Sequence, residues 1–279
     1  MLMAVERIMN MMKLGIIAEE YTLEYFQQIK DRGLECVEFC IYSNDSDPNR
    51  HINFLEKLDE IKANLQVTGL FVASVGRWGG IKLIENSGMN EVEIKIDKML
   101  IDATAKLGAP VYVTGCNYIE ATSLFDNYRN TIGYFNYLVE YGKSKGIKIA
   151  VHNSRWNNYI VSYASWSAIL SNVKDLYIKY NPSHCIYNGD DYLNEMAKWG
   201  NRIIHIHLTG SLRINGERYD DPPAGLDETN WPAFFATLYA IGYDKNLCIE
   251  ANSNSSTWNG ALYDKGIQYT IDYMKKFIL

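Results

Sequence analysis

The segment LYIKYNPSHC, residues 176–185, starts as an apolar run typical of a buried β-strand and ends in polar residues. Asn181 follows the run directly and His184 comes three residues later, so both stand where the strand would end. Polar side chains at the carboxyl end of a buried strand usually serve binding or catalysis. The segment therefore predicts a strand with functional groups at its end, and the rest of the chain repeats this pattern.

Seven further runs resemble this one, and with residues 176–181 they make eight strand candidates. The other seven are KLGII (13–17), ECVEFCI (35–41), QVTGLFVAS (66–74), PVYVT (110–114), IKIAVH (147–152), RIIHIHL (202–208) and NLCIEA (246–251). Longer amphipathic segments separate the runs and end at glycines such as Gly33 and Gly146, which favour helix C-termini. Eight β-then-α units of about 30 residues each predict an α/β fold, the closed (β/α)8 TIM barrel. A doubly wound open sheet is the alternative.

The chain of 279 residues has six prolines and no Ser/Gly/Pro tract that would mark a linker. We therefore expect a single domain, a catalytic TIM barrel over residues 12–279. The residues before the first strand, 1–11, lack the long apolar core of a signal peptide. They are predicted to be a leader or a flexible N-terminus.

Composition narrows the classes of partner. The net charge of −6 and the pI near 5.5 argue against a nucleic acid, because phosphate backbones need a basic face. No apolar run reaches the roughly 18 residues of a membrane span, so no membrane partner is expected. The odd cysteine count and the lack of a CxxC motif indicate reduced thiols, and therefore a cytoplasmic protein.

Polar residues concentrate at the predicted strand ends. They are Glu38 in the second strand, His152 after the fifth, Asn181 and His184 after the sixth, His205 and His207 in the seventh, and Glu250 after the eighth. Neighbouring strands of a barrel are adjacent in space, so these side chains should converge on one pocket. A lone strand histidine is more often a hydrogen-bonded core residue, but four of the five histidines occur here.

Four of these residues form a candidate metal set. His152, His207 and Glu250 supply two imidazoles and one carboxylate, and Asn181 adds a neutral carbonyl oxygen. Such a set carries one negative charge, so we expect it to hold one divalent ion (Mn²⁺, Mg²⁺, Co²⁺ or Zn²⁺) weakly. Open coordination positions would polarise a hydroxyl and a carbonyl oxygen of a substrate.

Further residues are candidates for substrate binding. Arg213 and Arg218 occur in the polar loop TGSLRINGERYDDPPAGLD (209–227), where they either pair with substrate or remain solvated. Trp156 follows the fifth strand and either stacks on a sugar ring or packs in the core. Glu38, His184 and His205 are assigned to the same role, with bracing of the barrel mouth as the alternative for Glu38.

Several motifs, taken in order, resemble the xylose-isomerase-like TIM-barrel superfamily from about residue 13 onward. They are GLECVEFC (33–40), GIKIAVHNS (146–154), LYIKYNPSHC (176–185), IIHIHLTG (203–210), PPAGLDETNW (222–231) and LCIEAN (247–252). That superfamily includes sugar phosphate isomerases/epimerases, inosose dehydratases, ketose 3-epimerases and the AP endonucleases of family 2. The resemblance implies a sugar substrate and says little about which sugar.

The resemblance also implies roles for the strand-end residues. The family pattern has a Glu after strand five, Asp-x-x-His after six, a His in seven and a Glu after eight; the two Glu, the Asp and the strand-seven His bind one metal. By position, Glu250 and His207 match this pattern, and His184 matches the His of Asp-x-x-His. The aspartate is replaced by Asn181 and the strand-five glutamate by His152.

These observations support three functional hypotheses. The first is a metal-dependent isomerase or epimerase that moves a proton on a small sugar or keto-polyol through an enediolate, with His152, Glu250 and His184 as catalytic residues. The second is a dehydratase or lyase that acts on a keto-sugar or 3-keto-glycoside in the same pocket. The third is a non-catalytic sugar-binding barrel or partner subunit. Barrels of this kind often pair, so a homo-oligomer is compatible with each.

Overall fold

Eight parallel strands close into a barrel, in which each strand pairs with the next along the chain and the last pairs with the first. The computed structural model describes residues 12–43, 49–85, 88–251, 253 and 255–279. The barrel strands are β1 (Lys13–Ile17), β2 (Cys36–Ser43), β3 (Phe71–Gly79), β4 (Val111–Thr114), β5 (Lys148–His152), β6 (Leu176–Tyr180), β7 (Ile203–Leu208) and β8 (Asn246–Ile249). The predicted TIM barrel is confirmed. The predicted leader, residues 1–11, lies outside the described residues.

Helices surround the barrel and cover its outer face. Those within the described residues are α1 (Leu23–Asp31), α2 (Arg50–Glu56), α3 (Leu58–Thr68), α4 (Glu91–Lys106), α5 (Leu124–Ser144), α6 (Tyr163–Leu170), α7 (Pro182–Tyr187), α8 (Tyr192–Trp199), α9 (Trp231–Ala240) and α10 (Tyr263–Met274). Side-chain caps start several of them, such as Thr22 before α1 and Ser123 before α5. No helix of this part of the chain is long and apolar enough to cross a bilayer.

The third strand begins later than predicted. The segment 66–74 was expected to be extended, but α3 continues through Thr68 and ends at Gly69, whose φ of +69° suits a helix C-terminus. The strand itself runs from Phe71 to Gly79. The apolar run misled the prediction because short runs of this kind fit a helix end and a strand equally well. The shift brings Trp78 into the barrel wall.

The polar segment after β7, predicted as a loop, contains a hairpin. Leu212–Ile214 pairs antiparallel with Glu217–Asp220. The turn between them is Asn215-Gly216, and both residues have positive φ, 55° and 83°. Asn-Gly is the dipeptide that favours such a two-residue turn, so the signal was present in the sequence.

A large aromatic ring, that of Trp78, packs on the inner face of the barrel. Trp78 is 5% exposed and shares the inner face with Gly76 two residues earlier. A Cβ at Gly76 would lie 2.1 Å from Cζ3 of Trp78, so only glycine leaves room for the ring. The backbone of β3 is therefore adapted to hold an indole at the centre of the barrel.

A buried ionic cluster holds the segment after β3 against α4. The carboxylate of Asp97 accepts hydrogen bonds from the Tyr112 and Tyr134 hydroxyls, both at 2.7 Å, and from Lys82 Nζ at 3.0 Å. Arg77 and Lys82 also pair with Glu93. Because each charge has an opposite partner, the cluster fixes the end of β3 at tolerable desolvation cost.

Replacing Gly76 with alanine should destabilise the fold. The new methyl would overlap the Trp78 ring, so we expect a loss of about 1–3 kcal/mol in the free energy of unfolding. Urea denaturation measures this loss. The control is Gly133→Ala in α5, where a Cβ meets nothing within 4 Å and stability should be unchanged or raised. Equal stability of the two variants would contradict the packing argument.

Candidate active site

The deepest part of the pocket is a glutamate between two histidines. Glu38 on β2 points into the barrel, and its Oε2 lies 2.6 Å from Nε2 of His205 and 2.7 Å from Nε2 of His207. All three side chains are fully buried. Burial alone would raise the pKa of Glu38, but the two imidazoles outweigh it and hold that pKa well below its usual range. Glu38 is therefore an ionised carboxylate inside the barrel.

His207 bridges this carboxylate to a second one. Its Nε2 faces Glu38 and its Nδ1 lies 3.1 Å from Oε2 of Glu250. Burial opposes a charged imidazole, yet the carboxylates of Glu38 and Glu250 prevail and raise the pKa of His207. An imidazole with a carboxylate at each nitrogen donates from both, which is the imidazolium form.

Glu250 is held by neutral donors as well. Its Oε2 accepts hydrogen bonds from Nδ2 of Asn181 and Oγ1 of Thr209, both at 2.8 Å. Burial would raise the pKa of this carboxyl, but His207 and nearby positive charge lower it far below the usual value. Its side chain is 20% exposed, so Glu250 is ionised and within reach of a ligand.

The amide of Asn181 has a fixed orientation. Its Oδ1 accepts from the backbone N–H of Ser183 at 3.0 Å and from the Ser183 hydroxyl at 2.7 Å, and so caps α7. A backbone N–H can only donate, so the oxygen must face Ser183. The NH₂ group consequently faces Glu250 and Thr209.

His152 differs from its neighbours because no described side chain is hydrogen-bonded to either of its ring nitrogens. It ends β5, is fully buried, and neither ring nitrogen has a hydrogen-bond partner among the described residues. Burial, with the charge of Lys179 next in size, holds its pKa well below the usual value. A Cβ at Gly115 would come within 2.5 Å of its Nε2, so that glycine admits the ring. His152 is a neutral imidazole with free capacity to bind or take a proton.

Trp78 contacts several of these groups, although no motif in the sequence pointed to it. Its ring stacks on that of His152, with centroids 5.5 Å apart and planes at 17°, and on that of His207 at 6.2 Å and 21°. The misplaced third strand hid it, since a strand ending at residue 74 would not include Trp78. The indole sets the position of both imidazoles.

Lys179 was missed as well. It lies on β6, is 1% exposed, and its Cα is in register with those of His152 on β5 and His205 on β7. Its Nζ lies 5.6 Å from the centre of the Trp78 ring, a cation–π arrangement. The signal was available, because Lys179 precedes Asn181 by two residues and period-two alternation places both on one face.

Two predicted residues lie at the edge of the pocket. His184 is on α7; burial lowers its pKa to about 4, and Glu250 offsets only part of that effect, so its imidazole is neutral. Trp156 is 45% exposed and stacks on Tyr42, with ring centroids 5.2 Å apart. Tyr42 belongs to β2, so this aromatic pair forms part of the rim.

The two loop arginines are engaged with other residues of the chain. Arg213 pairs with Glu228 at 2.8 Å and donates to the backbone carbonyl of Ile186. Arg218 pairs with Asp221 and lies over the ring of Tyr187, 4.9 Å from its centre. Their predicted role in substrate binding stays a prediction.

The donors at the predicted metal position do not fit a divalent ion. The single oxygen of Asn181 is taken by the cap of α7, and its NH₂ group is directed at the carboxylate a metal would need. An aspartate would have a second oxygen for the ion, but asparagine has none. Lys179 also places a buried positive charge close enough to affect the pKa of Glu250.

A second group lies deeper. Glu38, His205 and His207 offer one oxygen and two nitrogens within 4.8 Å of one another, and this Glu/His/His cluster could hold a metal ion. Their contacts of 2.6 and 2.7 Å are hydrogen-bond lengths, shorter than the separation of about 3 Å or more between ligands of one ion. The observed distances are explained by hydrogen bonding alone.

A closed parallel barrel with buried histidines and carboxylates at its strand ends defines a TIM-barrel protein with a polar pocket at the carboxyl face. The family model for the xylose isomerase-like TIM barrel matches residues 26–276. The chain therefore belongs to this family, as its motifs implied. A search of curated proteins finds no match.

Solved structures with the same fold are sugar epimerases and related proteins. The 3-keto-D-glucoside 4-epimerase YcjR from E. coli aligns with a TM-score of 0.76 and 16% identity, over 95% of this chain and 99% of that chain. D-psicose 3-epimerase from Clostridium cellulolyticum H10 aligns at 0.73 and 14%, over 95% and 99%. A xylose isomerase domain protein from Planctomyces limnophilus aligns at 0.73 and 15%, over 96% and 97%. At these identities the likeness establishes the fold.

Glu38→Gln should destabilise the protein strongly. The change removes the buried carboxylate that pairs with His205 and His207, and breaking a buried ionic network costs about 3–5 kcal/mol. Chemical denaturation provides the measurement. Glu35→Gln, three residues earlier, breaks only the exposed pair with Lys13 and should cost less than about 1 kcal/mol. A loss no greater than that of the control would show that the network does not support the fold.

Proposed function

We propose that the chain is an isomerase or epimerase that moves a proton on a small sugar or keto-polyol through an enediolate. The observation that carries this proposal is the unsatisfied imidazole of His152. Leaving a buried polar atom without a hydrogen bond costs about 1–3 kcal/mol of folding free energy. The fold itself does not benefit from this cost. A substrate hydroxyl or C–H group beside the ring would provide the partner for hydrogen bonding or proton transfer that the two nitrogens lack.

The charge states suit proton transfer next to a carbonyl. His152 is neutral and can accept a proton from carbon, because its low pKa keeps a lone pair free. Glu250 is ionised and partly exposed, so it can accept a hydrogen bond from a substrate hydroxyl and orient it. Lys179 and His207 supply positive charge near the place where negative charge would develop on an enediolate oxygen.

The surroundings of the pocket support a sugar as the substrate class. Trp156 and Tyr42 present a stacked aromatic pair at the rim, and aromatic faces pack well against the apolar face of a sugar ring. The structural relatives named above include epimerases of a keto-glucoside and of a ketose. A divalent ion was expected from the sequence, but no step of this proposal is routed through one, because the donors do not fit it.

A panel of ketoses and keto-glycosides in D₂O tests the proposal. We expect at least one sugar to exchange a carbon-bound proton for deuterium and to form an epimer or an aldose, both visible by NMR. An absorbance rise from an enone would show elimination, and the enzyme would be a lyase. Saturable binding without exchange, with or without Mn²⁺, would indicate a sugar-binding barrel and contradict the proposal.

His152→Ala should abolish most of the exchange. General base catalysis contributes about 10²- to 10⁴-fold, so kcat should fall by that range while the fold persists. The exchange rate for the best substrate of the panel is the measurement. His51→Ala changes the one histidine not placed in the pocket, on α2, and should leave kcat unchanged. A His152→Ala variant with wild-type exchange would remove His152 from the reaction.

A further inference from the structure

The orientation of Asn181 has a consequence for the charge of the whole pocket. The α7 cap takes the only oxygen of this amide, so its positive end is presented to Glu250. A group that offers N–H donors to a carboxylate does at that point what a bound cation would do. Asn181 therefore donates a hydrogen bond to Glu250, whereas a metal-binding residue at this position would offer an oxygen to the ion.

The buried charges of the inner barrel balance without an added ion. Glu38 and Glu250 are the two negative groups, and each carboxylate is surrounded by hydrogen-bond donors, which suit its ionised form. The positive groups beside them are the imidazole of His207, which has a carboxylate at each nitrogen, and the amine of Lys179, whose Nζ lies over the Trp78 ring. A divalent ion bound to His207 would displace its proton and still leave one excess positive charge beside Lys179, which is unfavourable in a largely buried site.

Lys179 is the group that makes this balance possible. No carboxylate lies within 4 Å of its Nζ in the described part of the chain, so its charge is not used in a single ion pair. A buried ammonium without a close partner is costly to the fold. Its Nζ and the rings of His152 and His207 all surround the Trp78 ring, at 5.6, 5.5 and 6.2 Å from its centre. The ammonium is therefore directed into the pocket and not toward the outer helices.

We infer that Lys179 is a built-in cation that supplies the positive charge a divalent ion would bring, and that the pocket works without a divalent ion. With a substrate bound, the ammonium and the Asn181 amide stabilise negative charge that develops on a substrate oxygen. This last role rests on the proposed function. The independence from metal rests on the donor set and the charges alone.

The wild-type protein gives the first test. It is purified without chelator, its metal content is determined by elemental analysis, and Mn²⁺ binding is followed by the EPR signal of free Mn²⁺. We expect no stoichiometric metal and no binding in the micromolar range. One equivalent of metal that is lost in His207→Ala would overturn the inference, as would an equivalent lost in His205→Ala, which would place the ion in the deeper cluster.

A pair of variants gives the second test. Lys179→Met with Asn181→Asp removes one positive charge and adds a carboxylate oxygen, so the affinity for Mn²⁺ should rise at least about tenfold. Lys179→Arg with Asn181→Asp adds the same carboxylate oxygen but keeps the positive charge. Its affinity for Mn²⁺ should therefore rise much less. Equal gains would show that Lys179 does not exclude the ion. If a variant fails to fold, the wild-type measurement still decides.

Deuterium exchange with and without EDTA separates this inference from the proposed function. Exchange that persists in EDTA supports both. Exchange that EDTA abolishes and Mn²⁺ restores supports an isomerase but overturns the built-in cation. A protein that binds no metal and exchanges no proton with any sugar would contradict the proposed function and leave the charge argument intact.

Discussion

The imidazole of His207 is held between two carboxylates, and the charges of both depend on it. With Glu38 at one nitrogen and Glu250 at the other, the ring can neither rotate nor choose a single tautomer. The two carboxylates come from opposite parts of the chain, β2 and the end of β8, so this one ring ties the first and last quarters of the barrel together. Its charge keeps both carboxylates ionised although burial opposes their charge.

Packing gives the imidazoles their orientation. Trp78 stacks on both His152 and His207, and it can occupy the inner space only because Gly76 leaves room for it. The indole thus contacts a hydrogen-bonded, charged imidazole and an unsatisfied, neutral one. Groups with such different environments on one rigid support are typical of acid–base sites, in which one group holds charge and another exchanges protons.

Much of the fold and the site was predictable from the sequence. The alternation of apolar runs and amphipathic segments indicated a closed barrel, because eight regular β-then-α units are the number that forms such a barrel. The convergence of His152, Asn181, His207 and Glu250 followed from their places at the ends of neighbouring strands. Period-two alternation pointed to Lys179 too, but a lysine in an apolar strand is easily taken for an edge residue. The place of Trp78 in the site could not be predicted, because the start of its strand depended on where α3 ended.

The sequence by itself determined that Asn181, His207 and Glu250 lie at the carboxyl face, since strand order and strand ends follow from the apolar pattern. It did not determine what each group does there. Asn181 could have turned either its oxygen or its amide toward Glu250, and only the folded chain selects between them. The selection has a simple physical reason: the backbone N–H of Ser183, at the start of α7, can only donate, so it takes the oxygen and leaves the amide for the carboxylate.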